Sequence, residues 1–127
     1  MKIFCLEADV VNPSGRVYPK AVLEKAVADY TEEFVGGNRA LGELGTPDGQ
    51  VVNLKNVSHI VRGFHWEGDK LFADIEVLST LSGAMVKSLL ANGVKLRGSI
   101  RGLGSLVDSI VQDDYTISSI DVRLDDN

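Results

Sequence analysis

The sequence predicts an α+β fold: an antiparallel β-barrel or strongly curved sheet with two flanking helices. Three observations predict it: two stretches of helical periodicity, several short β-prone runs punctuated by glycine, proline and asparagine, and one cleanly alternating strand at Leu71–Leu78. Length sets the scale, since 127 residues with 44% hydrophobic content suit one core, and residues 1–127 are expected to form a single domain.

Taken in order, Ile3 to Val11 read as a first strand that stops at the turn-forming cluster Asn12-Pro13-Ser14-Gly15. Pro19 suits the first position of a helix, and Leu23, Ala26, Val27, Tyr30 and Phe34 follow at helical spacing until Gly36-Gly37-Asn38 ends it. Ala40 to Leu44 form a short strand before the breaker-rich loop Gly45-Thr46-Pro47-Asp48-Gly49. Val57 to Trp66 and Leu71 to Leu78 are strands joined through Glu67-Gly-Asp-Lys70. In the second of these, Leu71, Ala73, Ile75 and Val77 face one way. Strand parity places His59 and His65 together on the face opposite Trp66.

Thr80 or Ser82 caps a second helix with apolar positions Met85, Val86, Leu89 and Leu90, closed by Asn92-Gly93. Lys95 to Gly104 read as a glycine-rich bend. Ser105–Val111 and Tyr115–Leu124 then flank Gln112-Asp-Asp114 as a terminal hairpin. Tyr115 and Ile117 differ in parity from Ile120, Val122 and Leu124, so a bulge is expected near Ser118-Ser119.

Composition narrows the function. A net charge of −5 argues against a protein built to neutralise phosphates, so no nucleic-acid partner is expected. The apolar run before Glu7 is too short for a signal-peptide core or a membrane span. Cys5 is the single cysteine, in an apolar run, and reads as a buried small hydrophobe. No metal is expected, because two histidines six apart without a carboxylate cluster make no recognisable ligand set. No cofactor is expected either: Gly102-Leu-Gly104 lacks the Walker lysine and the following helix of a phosphate loop.

Ser99 is the candidate for chemistry. It lies between Arg97 and Arg101, and among Gly98, Gly102 and Gly104. The arginines suit an acidic partner, and amides around the glycines suit an oxyanion, as acyl transfer requires. The plainer reading is a turn serine beside solvated charge.

Several separated segments match one family in order: Glu7-Ala-Asp-Val-Val-Asn12, Arg16-Val-Tyr-Pro-Lys20, Leu23-Glu-Lys-Ala-Val27, Ala40-Leu-Gly-Glu-Leu44, Val57-Ser-His-Ile60 and Arg101-Gly-Leu-Gly-Ser105. In these the chain resembles the prohead proteases of tailed phages, of the T-even type, distant relatives of the herpesvirus assemblins. The resemblance implies an antiparallel barrel flanked by helices and a serine nucleophile in a Ser-Ser-Arg-Gly motif. Here that segment is Ser99-Ile100-Arg101-Gly102, with Ser99 at the nucleophile position and Arg101 and Gly102 in the oxyanion loop. The family's base is a histidine in Gly-Glu-Leu-x-His-Pro, and here Gly42-Glu-Leu-Gly-Thr46-Pro47 puts Thr46 at that position. A threonine hydroxyl does not titrate near neutral pH and cannot take the serine's proton. Removing the base of a serine triad costs roughly 10⁶ in turnover. His59 is the candidate substitute base, with His65 a weaker one.

The resemblance therefore implies two outcomes. One is a catalytically defective protein that keeps the fold and serves a phage capsid as a cement, decoration or assembly factor bound to the major capsid protein or the scaffold and core proteins. The alternative is an active serine endopeptidase that cleaves scaffold and capsid precursors during head maturation. Either is expected in the virion capsid or prohead, assembled in the host cytoplasm, and a homo-oligomer is a further expectation. The family usually continues into C-terminal sequence beyond the last strand, and an extension of that kind is expected to be lacking here.

Overall fold

Alternation decides most of the first sheet, and close approach between distant residues decides the second. In chain order the elements are β1 (Lys2–Glu7), α1 (Lys20–Tyr30), β2 (Leu41–Glu43), β3 (Val57–Glu67), β4 (Lys70–Val77), α2 (Leu81–Ala91), β5 (Leu96–Leu103), β6 (Leu106–Val107), β7 (Ile110–Val111) and β8 (Thr116–Leu124). The structure, a computed structural model, describes residues 1–125. β1, β4, β3 and β2 form one antiparallel sheet in that order, β5 and β8 a second, and β6 and β7 a small hairpin. β1 lies against β5, and Leu44, just after β2, bridges to Val122 in β8. The strands thus curl into an antiparallel half-barrel, with α1 packed against β8 and α2 against β3.

The alternation at Leu71–Val77 holds: Leu71, Ala73 and Ile75 are buried while Asp74 and Glu76 are exposed. Leu23 from α1, Leu71 and Ile75 from β4, Val86 from α2 and Ile120 and Val122 from β8 meet in one core. Each such aliphatic side chain contributes about 1.5–3 kcal/mol by leaving water. Pro19 precedes α1 as its N-cap, and a single π-turn at Thr31–Val35 continues the helix, stacking Tyr30 on Phe34 at 5.0 Å. Thr80 caps α2, its Oγ1 accepting from the Gly83 N–H at 2.9 Å.

Four expectations need correction. β1 ends at Glu7 rather than Val11, because the Ala8 N–H turns to Asp69 O and Asp9 takes a positive φ of 64°. His59 and His65 do not share a face. Val61 pairs with Ile75 but Gly63 with Asp74, so a bulge at Arg62 reverses the parity. His59 then falls opposite Val77 and His65 opposite Phe72. The terminal hairpin does not form as read: β8 pairs with β5, while residues 106–111 close on themselves through Asp108 and Ser109, both at positive φ. Finally, Lys95–Gly104 is largely strand, not bend.

Those last two share a cause. The glycines of β5 are places where other side chains lie on the backbone: a Cβ at Gly98 would stand 2.7 Å from Cys5 Sγ, and one at Gly102 2.5 Å from Tyr115 Oη. The bulge expected near Ser118-Ser119 is present, since Arg101 pairs with Ser119 and Gly102 with Ile117, leaving Ser118 unmatched.

Candidate active site

The β5–β8 ladder sorts its residues by face. Gly98 and Ile100 stand opposite Val122 and Ile120, which belong to the core. The alternate set is polar: Arg97 opposite Arg123, Ser99 opposite Asp121, and Arg101 opposite Ser119.

At one end of this polar row, Arg101 is buried with 8% exposure. Its Nε donates to Ser119 Oγ at 2.9 Å and to Asp121 Oδ2 at 3.1 Å. Its Nη2 donates to Asp121 Oδ1 and to Glu43 Oε2, both at 3.0 Å. The carboxylates also order backbone. The Glu43 N–H donates to Asp121 Oδ1 at 3.0 Å and the Asn53 N–H to Glu43 Oε2 at 3.1 Å. Burial works against the Arg101 charge, but its bonds to Asp121 and Glu43 outweigh that and hold its pKa above the ordinary value. The guanidinium is thus a structural clamp between β2, β5, β8 and the segment leading to β3.

At the other end, Ser99 is half-buried and lines a cleft of about 460 Å³ between β5 and the Asn12–Tyr18 turn, together with Arg16, Arg97, Arg123 and Ile100. A second recess of about 250 Å³, reaching Gly102, Leu103 and Tyr115, shares Arg16, Tyr18 and Ile100 with the first. Together they form a groove along β5. Cys5 also lines the cleft, but burial pushes its thiol up to about 12, which leaves it protonated near neutral pH.

The histidines lie elsewhere. His59 is fully buried in β3. Its Nε2 stands 2.7 Å from Ile120 O and its Nδ1 2.7 Å from Ser58 Oγ. A carbonyl only accepts, so Nε2 carries the proton and Nδ1 accepts from the serine hydroxyl. Burial is the main reason its pKa falls below 6.5. Gly42 makes room for the ring, since a Cβ there would stand 2.3 Å from Nε2. His65 is exposed on β3, 3.6 Å from Glu67 Oε2.

Thr46 is exposed and lines a separate hollow of about 340 Å³ with Leu44, Leu89, Leu96 and Leu124. That hollow and the Ser99 cleft share Arg123. Among the described residues, Ser99 Oγ makes no hydrogen bond. Sequence reasoning missed Glu43, Ser119 and Asp121 as partners of Arg101. The available signal was an acid inside an apolar run, as in Ile120-Asp121-Val122.

The half-barrel matches a solved protease fold, and the chain belongs to the prohead core protein serine protease family, whose model matches residues 2–125. Over 110 residues it is 36% identical to the prohead core protein protease of Enterobacteria phage T4, covering 82% of this chain and 50% of that protein. The chain thus spans about half the length of that curated relative. The solved structure of the bacteriophage T4 capsid assembly protease, gp21, matches with a TM-score of 0.91 at 31% identity, over 98% of this chain and 81% of that one.

Proposed function

We propose that this chain is a catalytically silent prohead-protease-fold protein that works in phage capsid assembly by binding. The observation that carries the reading is the isolation of Ser99: the family's histidine position holds Thr46, and both ring nitrogens of His59 are committed to Ser58 and Ile120. A hydroxyl with no base to take its proton is a poor nucleophile. The groove along β5 supports retained binding, with an extended segment of the major capsid protein or of a scaffold or core protein as its occupant. On this reading Gly102 shapes the groove while the buried Arg101 clamp braces β5, and the protein acts in the prohead within the host cell.

A second reading, an active serine endopeptidase acting on scaffold and capsid precursors, is favoured by one observation: Ser99 lines an open cleft next to a continuous groove. It requires His59 to leave its buried position. Incubation with a fluorophosphonate probe and with the cognate capsid precursor, in parallel with Ser99→Ala, separates the two. The silent reading expects no labelling or cleavage above the Ser99→Ala background, together with binding of the precursor. Serine-dependent labelling or cleavage overturns it. Copy number in mature particles gives a second measure: stoichiometric retention with capsid subunits supports a cement role, and loss from the particle opposes it.

A further inference from the structure

β2 and β8 run side by side in parallel, and the seam between them is closed at one end only. There Leu44 bridges to Val122, the Gly45 N–H donates to Val122 O at 2.7 Å, and His59 Nε2 donates to Ile120 O at 2.7 Å. Toward the start of β8 the seam opens. β2 is the edge of its four-stranded sheet and β8 is paired in a ladder with β5 alone, so the outer edge of β8 at Thr116–Ser118 has no strand beside it. The opening is a cavity of about 630 Å³, lined by Leu41 of β2, by Thr116, Ile117 and Ser118 of β8, and by Phe34 and Leu54. It shares no lining residue with the Ser99 cleft or the Thr46 hollow.

Backbone groups around this opening lack backbone partners. An edge strand offers a row of N–H and C=O groups to any chain that can pair with it, and folded proteins commonly blunt such edges with charge or proline. Thr116-Ile-Ser118 carries neither. Facing it, residues 48–52 donate no backbone hydrogen bond among the described residues, and they are tied to β8 through side chains, with Ser118 Oγ donating to Gln50 Oε1 at 2.6 Å. Val51 and Leu54 flank the mouth at 85% and 72% exposure, apolar surface that an occupant would cover. Arg39, also at the mouth, stacks on Phe34 at 4.5 Å, and its Nη2 donates to Glu33 Oε1 at 3.2 Å. Its Nε and Nη1 have no acceptor among the described residues, so the guanidinium can take a second carboxylate.

We propose that this open seam binds an extended segment of another protein, which adds as a strand to the outer edge of β8 and sets a carboxylate against Arg39. Main-chain hydrogen bonds to the edge supply the affinity, and alternate apolar side chains enter the cavity between Phe34 and Leu41. Charge complementarity at Arg39 selects an acidic residue at the mouth. Binding here is independent of whether Ser99 reacts.

A library of fluorescein-labelled hexapeptides, with Val or Ile at alternate positions and one Glu, titrated with the whole chain by fluorescence anisotropy, tests this. The best members are expected to bind saturably with Kd at or below ~1 mM. N-methylation of alternate peptide amides, which removes strand hydrogen bonds and leaves the protein untouched, is expected to weaken them at least tenfold. Replacing the peptide's Glu by Gln, or Arg39→Gln in the chain, is expected to do the same; Arg39 is 56% exposed, and circular dichroism checks that the variant folds. Arg16→Gln, in the groove along β5, is expected to leave this binding unchanged. Four results would overturn the proposal: no library member binding up to that concentration, binding indifferent to N-methylation, binding lost in Arg16→Gln but kept in Arg39→Gln, or a seam filled by a second copy of the chain, seen as a dimer in sedimentation that Arg39→Gln dissociates.

Discussion

Arg101 Nη2 and Glu43 Oε2 lie 3.0 Å apart although 58 residues separate them along the chain. With Asp121 they form a cluster in which one guanidinium serves two buried carboxylates. Burying these charges is costly, and only the completeness of the pairing offsets that cost.

Removing the cation exposes the imbalance. Arg101→Met leaves Glu43 and Asp121 facing each other without compensation, and urea unfolding is expected to show a loss of about 3–5 kcal/mol. Glu43→Gln, which keeps a hydrogen-bond acceptor and leaves Arg101 paired with Asp121, is expected to cost clearly less. Equal losses from the two variants would contradict the clamp.

His59 gives stability a pH dependence of defined sign. Its folded-state pKa is depressed, chiefly by burial, so the unfolded chain takes up a proton first as pH falls. The folded state therefore keeps its full margin above the unfolded value of about 6.5 and loses up to about 1.4 kcal/mol per pH unit below it. Denaturation midpoints measured between pH 7.5 and 5.5 are expected to fall along this slope. A His59→Gln variant, less stable throughout, is expected to be flatter over the same interval.

Two glycines make opposite forecasts. A Cβ at Gly42 would stand 2.1 Å from Ile120 O and 2.3 Å from His59 Nε2, so Gly42→Ala pushes the ring off its carbonyl. A loss of at least about 2–3 kcal/mol is expected, from overpacking and the orphaned bond together. At Gly63 a Cβ would meet nothing within 4 Å, and Gly63→Ala is expected to be neutral or to stabilise by about 0.4–1 kcal/mol. Thermal melts of the two variants check both signs.

Placing an imidazole at position 46 tests the silent reading at the site itself. The Gly45 N–H donates to Val122 O at 2.7 Å, and Val122 pairs with Gly98. Thr46 therefore stands about two strand spacings, ~10 Å, from β5. Under the silent reading Thr46→His is expected to raise fluorophosphonate labelling by about 10²-fold, in line with what a placed general base supplies. Adding Ser99→Ala should abolish the gain. Absence of any gain would mean that more than the base has been lost.

The sequence made some of this architecture legible and hid the rest for physical reasons. The β3–β4 hairpin announces itself through the alternation of Leu71, Ala73 and Ile75, a local property. The bulge at Ser118 is legible because it breaks a parity that core residues enforce. The nature of β5 is not. Its glycines look like bend formers because what they accommodate, Cys5 and Tyr115, arrives from distant parts of the chain. The shared face expected of His59 and His65 fails through one extra residue at Arg62, which carries no composition signal. At the candidate site, Ser99 and Thr46 stand out by motif, whereas the Glu43, Ser119 and Asp121 partners of Arg101 become visible only once β2, β5 and β8 are side by side.

The clamp at Arg101 and the stitch from His59 to Ile120 hold the scaffold without drawing on Ser99 or Thr46. Conformational stability thus resides in side chains other than the two that the family resemblance marks for chemistry. On the silent reading, a change at position 46 carries no penalty in folding, which leaves selection free to keep the shell for another purpose. Decay of chemistry in such a scaffold need leave no trace in its thermodynamics.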